Sequence, residues 1–170
     1  MPSVAKEQLK ESNAKAELDG TEITMVVEVG SNTYTYILTN GEEVSVSEEN
    51  IEKAMLRMKV TEADMKSMIE TGNLDMILGV QNDLNKAKYN ALSSLRGSFI
   101  AEVTNDDGSS VSIEAILNGA LEPKSTFKMS AADTNALMNK ETNPVNLFMS
   151  GAMKIEGDMG FAMATQPLFS

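Results

Sequence analysis

The stretch from Thr126 to Met163, TFKMSAADTNALMNKETNPVNLFMSGAMKIEGDMGFAM, limits the fold more than any other part of the chain, because five elements must fit into it. Phe127 and Met129 alternate with polar residues, the period of two expected of a half-buried strand. Ser130 stands three residues ahead of Asp133, a capping-box-like start for a helix carrying Leu137 and Met138. Thr142-Asn143-Pro144 breaks that helix and opens a second short one with Leu147, Phe148 and Met149, which Gly151 ends. Met153 and Ile155 then share a strand face between Gly151 and Gly157. Asp158 caps a last helical turn with Met159, Phe161 and Met163. Nearly every apolar side chain in these elements is Met, Phe, Leu or Ile.

Met129-Ser130, Asp133, Leu137-Met138, Asn143-Pro144, Phe148, Gly151, Lys154-Ile155, Gly157, Met159-Gly160 and Ala162-Met163, in that order, resemble the sterol carrier protein type-2 family of lipid-binding domains. The resemblance implies an α+β fold: a twisted, mostly antiparallel sheet of about five strands, covered by helices on one side. It further implies an apolar tunnel that takes fatty acyl, sterol or isoprenoid chains.

Composition excludes several chemistries independently. The chain has no His, no Cys and no Trp, which removes Cys/His zinc sites, Cys–His dyads, Ser–His–Asp triads and disulfides. The formal net charge of −11 is spread over both halves without a basic cluster. Such a surface repels phosphate backbones and anionic membranes, so nucleic acid is not an expected partner. The chain has no apolar run long enough to cross a membrane, and its start, MPSVAKEQLKESNAKAELDG, is too polar for a signal peptide; a cytoplasmic protein without stable membrane insertion is the expectation. The end at Phe169-Ser170 lacks the Ser-Lys-Leu type ending that some members of the resembled family carry. Thirteen Met residues stand against 5% aromatics. Unbranched, polarisable Met fills irregular gaps and adapts to ligands of varied shape, although any single Met is more often a plain core residue, and the ligand reading gains only where several converge.

The rest of the chain reads as follows. Pro2 to Leu18 is a polar helix ending at Gly20. Ile23 to Val29 and Thr33 to Thr39 are strands, with Asn40-Gly41 turning into a short strand at Val44 and Val46. Leu56, Met58 and Val60 form another strand face. Thr61 and Asp64 start a helix with Met65, Met68 and Ile69, broken at Gly72-Asn73, and Leu74, Ile77 and Leu78 lead on to Gly79. Gln81 to Leu95 is an amphipathic helix. Phe99, Ala101 and Val103 line a strand that Asn105 to Gly108 turns into a second carrying Val111, Ile113, Ala115 and Leu117. A short strand near Leu121 precedes Pro123.

The halves match when laid over each other. Val26 to Val29 answers Ile100 to Val103, Ile37-Leu38 answers Ile116-Leu117, and Thr61…Asp64 answers Ser130…Asp133, while Val44 to Lys53 has no counterpart. This predicts a diverged tandem duplication: 1–80 a degenerate repeat, 81–170 the lipid-binding domain, the helix 81–95 shared by both. The final strand of the second half has no partner in the first, where a continuous helix takes its place.

The expected function is non-enzymatic binding and intracellular transfer of an apolar small molecule, with no cofactor and no metal. The expected ligand wall is Phe99, Ala101, Ile113, Ala115, Phe127, Leu137, Met138, Phe148, Met149, Met153, Met159, Phe161, Met163, Leu168 and Phe169. Asn143-Pro144 and Gly157 to Gly160 are the expected hinges of the covering helices. A second reading stays open: an accessory or oligomerisation domain, for instance a homodimer, with a filled core. An enzyme would have to use the carboxylate pairs Glu42-Glu43 or Asp106-Asp107, both of which fall in hairpin turns.

Overall fold

The computed structural model describes residues 20–40, 43–72 and 86–169. Its strands are β1 (Glu22–Val29), β2 (Asn32–Thr39), β3 (Glu43–Ser47), β4 (Leu56–Val60), β5 (Gly97–Thr104), β6 (Ser110–Leu117), β7 (Lys124–Ser130) and β8 (Lys154–Gly157). Its helices are α1 (Glu62–Thr71), α2 (Lys86–Ser94), α3 (Ala131–Met138), α4 (Pro144–Met149) and α5 (Met159–Ala164), followed by a 3-10 turn, Gln166–Phe169. The expected helix at Pro2 to Leu18, the segment Leu74 to Gly79 and the first residues of the 81–95 helix lie outside the described residues.

The sheet is larger than expected. Instead of about five strands it has eight, in the order β3-β2-β1-β4-β6-β5-β7-β8, and the pairing is mostly antiparallel. The reason lies at its centre, where β4 and β6 pair antiparallel through Leu56↔Leu117 and Met58↔Ala115 and so join the strands of both halves. Only β1·β4 and β5·β7 are parallel. The strand expected near Leu121 reduces to a single bridge, Leu117↔Ala120. Residues 118–123 have to carry the chain from β6 past the start of β5, and they spend their polar groups there: the Ser98 amide donates to the Pro123 carbonyl (2.9 Å) and the Ser98 hydroxyl to Leu121 (2.7 Å).

Alternation along the strands sorts the side chains onto two faces. Met25, Leu56, Met58, Phe99, Ala115, Phe127 and their in-register neighbours share one face, and the buried apolar residues of α1, α2, α3, α4 and α5 belong to the same cluster. The other face carries cross-strand ion pairs: Arg57–Glu28 at 2.7 Å, Lys124–Glu114 at 3.4 Å and Lys128–Glu156 at 3.0 Å. Segment 48–55 returns from β3 to β4. It contacts this face, where the Thr35 hydroxyl donates to the Glu49 carbonyl and Arg57 to Asn50 and the Ile51 carbonyl.

The helices start where the sequence places them. Thr61, Ser130, Asn143 and Asp158 each accept a hydrogen bond from the amide three residues on, at 2.7 to 3.1 Å, satisfying one of the amides that a helix start leaves open. Pro144 occupies the first turn of α4, where its missing N–H costs nothing. Gly72 ends α1 in the left-handed conformation, φ 73°, with its amide on the Ile69 and Met68 carbonyls.

Candidate functional site

The apolar face and the C-terminal helices enclose a hollow of about 70 Å³. Its floor crosses five strands: Leu56 and Met58 on β4, Ile113 and Ala115 on β6, Phe99, Ala101 and Val103 on β5, Phe127 and Met129 on β7, and Ile155 on β8. Its roof is Thr134, Leu137 and Met138 of α3, Pro144 and Val145 of α4, Met153, and Ala162, Met163, Thr165, Gln166 and Leu168 at the end of the chain. Ala101 and Ala115 keep the floor low between larger neighbours. Phe99 and Phe127 meet edge to face, ring centroids 5.5 Å apart, a geometry worth about 0.5–1.5 kcal/mol beyond the area it buries.

The wall is apolar in chemistry as well as in composition. Among the described residues, no Asp, Glu, Lys or Arg lines it. Two of its few polar side chains have their donors engaged: the Thr134 hydroxyl donates to the Ser130 carbonyl (2.8 Å) and the Thr165 hydroxyl to Ala162 (2.7 Å). Protein interiors leave few voids larger than a water molecule. A hollow of 70 Å³ forgoes on the order of 2 kcal/mol of packing.

Ten of the fifteen residues expected to form the wall line this hollow: Phe99, Ala101, Ile113, Ala115, Phe127, Leu137, Met138, Met153, Met163 and Leu168. Four lie elsewhere. Phe148, Met149 and Met159 are exposed on α4 and α5, Met149 at 79%, because these short helices turn one side to solvent. Phe161 is buried, but against the start of β5 at Gly97. The side chain of Phe169 lies outside the described part. Met163 both lines the hollow and is 41% exposed, so it marks where the hollow meets solvent.

Val103, Met129 and Ile155 also line the hollow, and their alternation with named residues was the signal for them. Leu56 and Met58 had no such signal, because they come from the other half of the chain. Of the carboxylate pairs, Asp107 is held by the hairpin turn: it accepts from the Ser109 amide (2.8 Å) and hydroxyl (2.5 Å), which lowers its pKa. Glu42 and the side chain of Glu43 lie outside the described part. Lys128 is raised by its hydrogen bond to Glu156, and Tyr36 by burial and then by Tyr34 beside it; none of these groups touches the hollow. Among the described residues no cluster of acidic side chains could hold a metal ion, and no helix is long and apolar enough to cross a membrane.

An α+β sheet whose helices close over an apolar hollow without an ionisable wall residue is the arrangement of a lipid-binding fold. The chain belongs to the SCP-2 sterol transfer family, whose pattern matches residues 80–170, more than half of its length. Among solved structures it is similar to sterol carrier protein 2 from Yarrowia lipolytica in its apo form, at 18% identity over 49% of this chain and 74% of that one, with a TM-score of 0.39. It is also similar to sterol carrier protein domain 2 of Helicoverpa armigera, at 24% identity over 64% and 84%, TM-score 0.38. A third is sterol carrier protein 2 like 2 from Aedes aegypti, at 14% over 59% and 92%, TM-score 0.35. No curated protein matches the chain.

Proposed function

We propose that the chain binds one apolar chain (fatty acyl, sterol or isoprenoid) beneath α3, α4 and α5 and carries it within the cytoplasm without catalysing a reaction on it. The supporting observation is the hollow itself, walled by adaptable Met, Phe and Leu side chains and free of ionisable groups. Removing methylenes from water contributes about 0.8 kcal/mol each, on the order of 10 kcal/mol for a sixteen-carbon chain before ordering costs. No reactive residue is needed. An apolar cavity of about 150 Å³ accommodates benzene, and the 70 Å³ seen here is less than half of that. Uptake then requires the roof to lift into a tunnel, with Asn143-Pro144 and Gly157 to Gly160 as the hinges.

The organisation we infer is a diverged tandem duplication, with 1–80 the degenerate repeat and 81–170 the binding domain. Thr61 and Ser130 capping their helices alike, and Asn40 and Asn118 both turning the chain at positive φ after a matching strand, support it. The small size of the hollow favours one rival, an accessory domain with a nearly filled interior that assembles as a dimer. Native mass spectrometry of the full chain, purified under mild conditions, tests between them. A retained mass of a few hundred daltons that organic extraction removes supports the carrier. A clean monomer or dimer mass that stays clean after incubation with fatty acid supports the rival.

A further inference from the structure

We propose that Leu56 and Met58, from the N-terminal half, belong to the ligand-contacting wall and that Met58 sets the length of chain the site takes. This rests on the reading of the hollow as a lipid site. Both residues line the hollow and are only 2% and 3% exposed, yet both lie outside the 80–170 match to the family.

Strand pairing explains how they come to be there. Reading from β3, the contacts β3·β2, β2·β1, β1·β4 and β4·β6 run antiparallel, antiparallel, parallel, antiparallel. Reading from β4, the contacts β4·β6, β6·β5, β5·β7 and β7·β8 repeat that order of senses. The registers agree as well: Leu117 faces Leu56 as Leu38 faces Val44, and Ala115 faces Met58 as Tyr36 faces Val46. Two five-stranded arrangements therefore overlap in one sheet and share β4 and β6. The C-terminal one has four strands of its own and borrows β4 as its fifth.

The borrowed strand is also a boundary. The floor runs from Ile155 on β8 across to β4 and stops there. On the far side, Tyr34 and Tyr36 hold the positions that Ile113 and Ala115 hold in the hollow, and Val27 holds that of Ala101. These side chains are larger than their C-terminal counterparts, Tyr36 half-buried and Tyr34 exposed, and none of them lines the hollow. Met58, directly opposite Ala115, thus stands at the end of the floor.

The test uses the full chain and saturated fatty acids of twelve to twenty carbons competing with the fluorescent probe cis-parinaric acid. Met58→Ala shifts the preferred length upward and raises the ratio of C18 to C14 affinity roughly fourfold per added methylene accommodated. Met58→Phe shifts it downward. Met25→Ala, on β1 beyond the boundary, leaves the ratio unchanged. Because the readout is a ratio within one protein, a variant that is partly unfolded lowers both affinities together and does not mimic the effect. An unchanged ratio in both Met58 variants, with the probe still bound, overturns the inference while leaving the lipid site standing. No probe uptake by the unmodified chain overturns the lipid site and this inference with it.

Discussion

The ring of Phe161 lies against the backbone of Gly97 so closely that a β-carbon there would come within 2.6 Å of its Cε2 and of the Pro123 carbonyl oxygen. Gly97 also sits at φ 146°, outside the range that side chains prefer. The contact ties α5 to the start of β5 at Phe161. Gly97→Ala is expected to destabilise the protein by roughly 2–4 kcal/mol, from overpacking and backbone strain together. Urea unfolding would show this as a lower midpoint at unchanged slope.

Arg57 holds the central strand β4 from the polar face, with its fork divided among Glu28, Asn50 and the Ile51 carbonyl. Its side chain is 11% exposed and that of Glu28 24%. Arg57→Ala takes the Arg57 donor from a half-buried carboxylate, which keeps its longer ion pair with Lys59, and from the part-buried Ile51 carbonyl, a loss of about 2 kcal/mol after allowing for solvent. Arg57→Lys recovers less than half of it, because an ammonium cannot span the three acceptors. Thermal melts of the two variants check the order.

The four helix caps contribute to stability whether or not a ligand is bound. Ser130→Ala and Thr61→Ala are each expected to cost about 1 kcal/mol, a fall in Tm of roughly 2–4 °C for a chain of this size. Ser130→Ala should in addition weaken probe binding, since α3 supplies Leu137 and Met138 to the roof, whereas Thr61→Ala should not. Differential scanning calorimetry with parallel probe titration separates the two effects.

Acid and alkaline sensitivity should lie away from neutrality. The Asp107 carboxyl is depressed below 3.8 by its hydrogen bonds from Ser109, so its stabilising contribution is present above that value and lost as pH falls through the folded pKa. Lys128 is raised above 10.5 by Glu156, so its contribution is present below that value and lost as pH rises through the folded pKa. Asp107→Asn should therefore lower Tm at pH 6, by an amount that shrinks as pH falls through the folded pKa. With no His in the chain and no ionisable wall residue, binding of an uncharged fatty alcohol should be flat from about pH 5.5 to 9. A titration across that range checks it.

The C-terminal elements were legible because their signals are local. Ser130 with Asp133, Asn143 with Pro144, and Asp158 name helix starts within three or four residues, and the alternation of Phe99, Ala101 and Val103 names a strand face. The eight-stranded sheet was not legible, because β4–β6 pairing joins residues about sixty positions apart and no local pattern encodes which edge meets which. For the same reason Leu56 and Met58 could not be placed in the wall. Phe148, Met149 and Met159 were misleading in the opposite way: in helices of six residues an apolar side chain has nearly equal access to solvent and core, and composition does not choose between them.

Everything functional in this account depends on the hollow opening to receive an apolar chain, and Ala101 on its floor gives the most direct test. The measurement is titration of the full chain with cis-parinaric acid, alone and as Ala101→Leu, with the Tm of each recorded. The account predicts saturable emission at one probe per chain, and at least about tenfold weaker binding in Ala101→Leu at a Tm within a few degrees. No saturable uptake by the unmodified chain, or undiminished binding by a folded Ala101→Leu, would contradict it.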